Sequence, residues 1–357
     1  MPVGPDAGAA PGGAGLSLFL VPDSIDGQRN GIAIRRLEEK LGLHGSPTCA
    51  MGFEGSQGFL IGAEGRGLAQ LFTMIAQMRL MVSVQGLTIA SGAADVALAY
   101  AEERRQGGAA NAPPVPIVQH PDVQRMLAEM ASRVEVVRGL VLAAAVQADL
   151  SRLESDSEAR AEAAALSGWL LPIAKTYASE TGFQVASEAI QVLGGAGYVK
   201  DWPVEQALRD SRVFAVFEGT SGIQALDLLH RRLRREDGRG LKAFLKLARA
   251  DAGEGSDAGV ADLLVVLDML EGSAGQLAAD PDGDAGAYDL LELGALAATG
   301  WTALRLSRLA PTGAGSRLAA AGRWWLTDLK AKADLHVARI SLGPGRLELF
   351  QALRRQH

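Results

Sequence analysis

A single cysteine, Cys49, stands among 357 residues, so no disulfide forms within the chain and no cysteine pair marks a metal site. Histidine is scarce too, with 5 residues. His44 sits in a turn, Leu43-His44-Gly45-Ser46-Pro47, and His120 precedes Pro121-Asp122 at a helix start. Neither belongs to a cluster with metal-ligand spacing. A basic surplus is missing: the formal net charge is -6 and the pI about 5.5, which argues against a general nucleic-acid binder. No apolar run approaches the roughly 18 residues that cross a bilayer. The nearest, around 294–304, is flanked by Glu292 and Arg305. Residues 1–15 lack a basic, then apolar leader and read as a flexible lead-in. No membrane span, no secretion and a cytoplasmic location are the expectations. No Gly-x-Ser-x-Gly elbow follows a strand, so a serine hydrolase is unsupported.

Hydrophobic residues make up 48% of the chain, enough for a substantial core and two or three domains. Residues 16–64 read as β, with short runs at 16–21, 31–34, 49–53 and 58–61 between Gly and Pro clusters. Four strands with so little apolar content read as part of a sheet whose other strands are missing. From Leu68 the period becomes helical and runs to about Arg105. Pro121-Asp122 opens a second helix with Met126, Met130, Val134, Val137 and Val141 on its buried face. A third spans about 157–193, with Pro172 expected to break or kink it. Short helices follow at 203–211 and 220–235. The polar stretch Arg234-Arg235-Glu236-Asp237-Gly238-Arg239-Gly240 reads as a domain boundary. Beyond it lie helices at 263–270, 288–309 and one long helix at 316–340, stopped by Gly343-Pro344-Gly345.

The most informative stretch is Val216-Phe217-Glu218-Gly219-Thr220-Ser221-Gly222-Ile223-Gln224, preceded by Gln191-Val192-Leu193-Gly194-Gly195-Ala196-Gly197-Tyr198. Glu218 is a carboxylate at the mouth of a predicted helix, suited to proton abstraction or simply to offsetting the helix dipole. Gly194, Gly195 and Gly197 allow close backbone approach to an anion or cap a helix; both readings hold together. Following a helix and not a strand, they are no βαβ dinucleotide fingerprint. Arg79 is a lone charge in the apolar stretch Met74-Ile75-Ala76-Gln77-Met78-Arg79-Leu80-Met81, which calls for a partner or an outward path. Arg104, in Glu102-Glu103-Arg104-Arg105-Gln106-Gly107, also fits a charged helix end.

In order and spacing these elements resemble the C-terminal half of the acyl-CoA dehydrogenase family, over about 16–233. The segments 40–49 and 223–228 look closest to a longer subgroup, which includes the 3-methylmercaptopropionyl-CoA dehydrogenases and carries an extra C-terminal helical domain. The resemblance implies a mainly α fold: a partial β-domain (16–64), a dehydrogenase-type helical bundle (65–236) and a further helical domain (241–357). It implies FAD as cofactor, acyl-CoA as substrate, an electron-transferring flavoprotein as partner, and a homo-oligomer with flavin sites shared between subunits. Glu218 would be the base, its own amide and Gly219 would meet the substrate, and Arg79 would border the acyl-CoA cleft. Arg104, Gln191, Gly194, Gly195, Gly197 and Thr220 would meet the flavin. The chain departs from the family at Gly107, where an aromatic residue is usual. Some members place the base on the helix of Arg79, but the residue at that place here is Met78, which takes no proton. The family begins with a helical domain and the first half of its β-domain, and neither has a counterpart here, so a truncated chain is the expectation. The alternative is a non-catalytic helical interaction or assembly protein.

Overall fold

The computed structural model describes residues 12–253, 258–310 and 312–354. Most of the lead-in expected over 1–15 lies outside the described residues, and Gly12–Gly15 forms one 3-10 turn. The chain divides into two compact units, Met1–Met78 and Arg79–His357.

The first unit holds three antiparallel ribbons. β1 (Leu18–Leu20) pairs with β6 (Phe59–Ile61), placing Leu18 opposite Ile61. β4 (Ile32–Leu37) pairs with β5 (Cys49–Phe53), with an irregularity between Ile34 and Arg36. These are the four strands the sequence predicts. A hairpin of β2 (Ser24–Ile25) and β3 (Gln28–Arg29) joins them. Its Asp26-Gly27 turn takes φ values of 51 and 77, the paired positive φ that tight hairpins require. Leu20, Ile34, Leu37, Phe59 and Leu60 stay exposed in these ribbons.

α1 (Gly67–Glu103) begins in this unit and runs into the second. An 18-residue window within it reaches a mean hydropathy of 1.3, long and apolar enough by composition to cross a membrane. This corrects the expectation that no stretch approaches that length: valine, leucine, isoleucine and alanine raise the average although polar residues interrupt them. In the second unit Leu87, Ala90, Ala93, Ala97 and Ala101 of α1 are buried in the common core, the helical spacing of a bundle face.

α2 (Pro121–Leu153) buries Met126, Met130, Val134, Val137 and Val141 as the periodicity predicts. α3 (Ser157–Leu193) opens on Asp156, whose carboxylate accepts from the amides of Glu158 and Ala159. It runs unbroken through Pro172, so the break that the sequence allowed does not occur. Residues 168–174 are buried without exception, and Gly168 stands at the i−4 position whose carbonyl the proline ring crowds. α1 and α3 touch backbone to backbone: a Cβ on Gly86 would lie 2.2 Å from the Ala178 carbonyl oxygen, and one on Gly182 would lie 2.9 Å from the Gly86 oxygen. α4 (Val204–Ser211) and α5 (Ser221–Leu226) are short, and α5 passes directly into a π-helix, Asp227–Arg235.

α6 (Arg239–Ala252), α7 (Ala258–Ala279), α8 (Ala287–Ser307), α9 (Ala314–Leu326), α10 (Leu329–Ser341) and α11 (Gly345–Leu353) complete the unit. The single helix expected over 316–340 is two, because Asp328 leaves helical geometry at φ -130 and ψ 14 and Thr327 turns its hydroxyl onto the Trp324 carbonyl. α8 is buried almost all round; it is a central core helix that packs on α2, α3, α5, α7, α9 and α10. No boundary between the compact units falls at the polar stretch 234–240. Arg234 donates to the carbonyls of Leu277, Ala278 and Asp280, and α6 packs on α3 immediately beyond it.

Leu267, fully buried in α7, tests this shared core. Leu267→Ala is expected to cost about 2–5 kcal/mol in urea unfolding. Leu142→Ala, at a 58% exposed position of α2, should stay within about 0.5 kcal/mol.

Candidate functional site

The loop bearing Glu218 follows a 3-10 turn, Arg212–Ala215, and is steadied by Phe214 and Phe217, whose rings stack 5.7 Å apart. Glu218 itself takes φ 55 and Gly219 φ 90. The left-handed region is ordinary for glycine but strained for a side chain such as glutamate. The reversal turns both backbone carbonyls inward. The buried Gln224 amide donates to the Glu218 and Gly219 oxygens, each at 3.1 Å. Lys175 Nζ donates to the Gly219 oxygen at 2.8 Å. Thr220 then caps α5, its Oγ1 accepting from the Ile223 amide at 3.4 Å, while Ser221 Oγ donates to Glu180 at 3.1 Å.

Beneath the loop lie two buried cations. Lys175 is 0% exposed, and burial followed by the nearby Arg79 guanidinium brings its pKa down to about 8, against the pull of Glu180 and Glu218. Arg79 is buried and ion-paired with Asp227 at 2.9 Å, so the partner the sequence demanded for this lone charge is a carboxylate of the π-helix. Glu218 is half-buried, and among the described residues its carboxylate has no hydrogen bond or ion pair. A carboxylate with free lone pairs at the mouth of a loop can accept a proton.

A second locus forms where α1 and α3 end. A cavity of about 610 Å³ is lined by Arg104, Gly107, His120, Gln191, Gly194 and Gly195, among others. Among the described residues the Arg104 guanidinium has no ion-pair partner. Gly194 closes α3 at φ 61, and its amide is taken by the Gln191 and Ile190 carbonyls. Nothing lies within 4 Å of a Cβ built on Gly194 or Gly195, so that turn is open. Gly197 is different. It is buried, and a Cβ there would sit 2.9 Å from Ile190 Cα and Leu193 Cβ, so it serves the packing of the turn and does not line the cavity. Opposite, the His120 ring bonds the Gln106 carbonyl at 2.8 Å and lies 3.2 Å from where a Cβ on Gly107 would stand. Among the described residues no group of His, Cys, Asp or Glu is arranged to hold a metal ion.

The sequence-predicted residues thus fall into two groups: Glu218, Gly219 and Thr220 over Arg79, and Arg104, Gln191, Gly194 and Gly195 around the cavity. Sequence reasoning missed Lys175, Gln224 and Asp227. The signal for Lys175 was the one that singled out Arg79, a lone charge in an apolar helical stretch.

Residues 65–233 match the C-terminal domain of the acyl-CoA dehydrogenase family. The chain is 39% identical over 327 residues to the 3-methylmercaptopropionyl-CoA dehydrogenase of Ruegeria pomeroyi, covering 85% of this chain and 54% of that protein. It is 35% identical over 249 residues to the broad-specificity linear acyl-CoA dehydrogenase FadE5 of Mycobacterium tuberculosis, covering 65% and 41%. The chain therefore spans about half the length of the curated relatives it matches. The crystal structure of Caenorhabditis elegans ACDH-11 in complex with C11-CoA shares the fold at a TM-score of 0.80, with 24% identity, 96% of this chain and 57% of that one covered.

Removing the anion beneath the loop should be severe. Asp227→Ala leaves Arg79 buried without its counter-charge beside Lys175, and denaturant unfolding should show a loss of about 3–5 kcal/mol.

Proposed function

We propose that the chain works in an FAD-dependent acyl-CoA dehydrogenase, in which Glu218 takes the α-proton of an acyl-CoA thioester and 2-enoyl-CoA is formed. The observation that carries this reading is the Glu218 carboxylate, half-buried, unpartnered among the described residues, and held by a left-handed turn above Lys175 and Arg79. A positioned base of this kind contributes about two to four powers of ten in rate. The Glu218 amide and Gly219 are assigned to the thioester carbonyl, where backbone donors stabilise developing negative charge. Arg79 supports that end from below, as a buried cation and not as a direct substrate contact.

No side chain accepts hydride, and bound FAD supplies that acceptor. The donor set around the cavity suits a phosphate group: Arg104 brings an uncommitted guanidinium and Gly195 an open backbone, the groups that bind anions well. Gln191 and Gly194 complete that wall, and Thr220 is assigned to the flavin from the Glu218 side. Two separate loci on one chain support a homo-oligomer in which a flavin site draws residues from two subunits. An electron-transferring flavoprotein as the next electron acceptor is part of the same proposal. The alternative of a non-catalytic assembly protein is not favoured by the relatives, which carry dehydrogenase names.

In the flavin-loaded protein, Glu218→Gln should cut turnover by about 10²–10⁴-fold with flavin absorbance retained; unchanged turnover removes Glu218 from the role. Arg104→Ala should weaken flavin binding by roughly tenfold or more, the worth of one charge-assisted hydrogen bond, read by absorbance of the purified protein.

A further inference from the structure

We propose that Lys175 is the positioning residue for Glu218: its buried ammonium holds the Gly219 carbonyl inward and so keeps the turn that presents the carboxylate. The inference rests on the reading of Glu218 as the base and adds a residue to it.

Lysine is almost never fully buried unless it is paired. Lys175 is fully buried, and among the described residues it has no ion-pair partner. Its ammonium instead reaches the Gly219 carbonyl oxygen at 2.8 Å. That oxygen belongs to a half-buried loop where consecutive residues, Glu218 and Gly219, both take positive φ, Glu218 being the candidate base. Backbone strain at a functional site persists only where the surroundings over-determine it. Here the restraints are the neutral Gln224 amide, shared between two carbonyls at 3.1 Å, and the shorter, charge-assisted bond from Lys175, the stronger kind. Lys175 touches neither substrate nor flavin in this reading; it acts through the loop.

The charges facing the ammonium come from every element around it. Arg79 on α1 repels it, and Asp227 of the π-helix neutralises Arg79. Glu180, further along α3, and Glu218 itself attract it. The proton leaves as pH rises through about 8. Below that value the charge-assisted bond is intact; above it a neutral amine holds the carbonyl more weakly.

The test uses Lys175→Met, with Lys175→Gln as the milder change. In either variant, hydrogen exchange of amides in 216–224 should quicken about tenfold relative to α8, as the turn loosens. In the flavin-loaded enzyme kcat should fall about 10- to 100-fold with KM within about threefold, as expected for a misplaced group far from binding contacts. The unmodified enzyme's kcat should decline on the alkaline side of about pH 8, and that decline should vanish in both variants. Unchanged exchange over 216–224 in a folded variant overturns the proposal. So does an unmodified enzyme whose kcat is flat between about pH 7 and about pH 9.5, whether or not the variants fold. Full turnover in Glu218→Gln is a different failure: it removes the base while leaving the exchange result on the loop to stand.

Discussion

Two carbonyl oxygens turned toward the protein interior set the conditions for everything around Glu218. A backbone carbonyl buried without a donor is costly, and here the reversal at Glu218 and Gly219 buries two in succession. Gln224 alone would have to serve both. The Lys175 ammonium relieves that demand, and its own burial in turn requires a helix packed tightly enough to exclude water. The reactive-looking surface feature is therefore a consequence of interior packing.

α3 supplies that packing and joins the two loci. Its first turn is fixed by Asp156, its middle passes within backbone contact of α1 at Gly86 and Gly182, and its end is closed by Gly194. Lys175 lies midway, and Gln191 stands in the last turn facing the cavity with Arg104. α8 lies against both α3 and α5. α8, beyond 241, thus packs against the helix that follows the Glu218 loop.

Much of this was legible in the sequence. The order Gln191, Gly194–Gly197, Glu218 marked the family portion, and the spacing of Met126, Met130 and Val134 marked a core face. The four short strands were bounded by their own Gly and Pro punctuation. Where reading failed, tertiary context had overridden a local rule. Pro172 reads as a breaker until both sides of α3 are seen to be buried. The break at Thr327-Asp328 carries no glycine or proline, only a threonine that folds onto the preceding carbonyl. The positive φ of Glu218 had no local signature, since glutamate disfavours it and only the donors from α3 and α5 impose it. Gly197, grouped by pattern with its neighbours, differs from them because packing against Ile190 and Leu193 is visible only in three dimensions.

The π-helix at Asp227–Arg235 carries a consequence for how such a chain tolerates change. A π-helical stretch holds more residues per turn than the α form, and one residue of an α-helix corresponds to about 100° of rotation. Its wider winding aims Asp227 at one end toward Arg79 and Arg234 near the other toward the carbonyls that end α7. Rewinding the same residues as an ordinary α-helix would add rotation between Asp227 and Arg234 and swing those two side chains out of phase with each other. The left-handed Gly238 that follows, at φ 61, lets α6 start on its own axis, while Arg234 ties the π-helical stretch to the carbonyls that end α7. The chain should accordingly tolerate a residue gained or lost at 227–235 only where the winding changes with it.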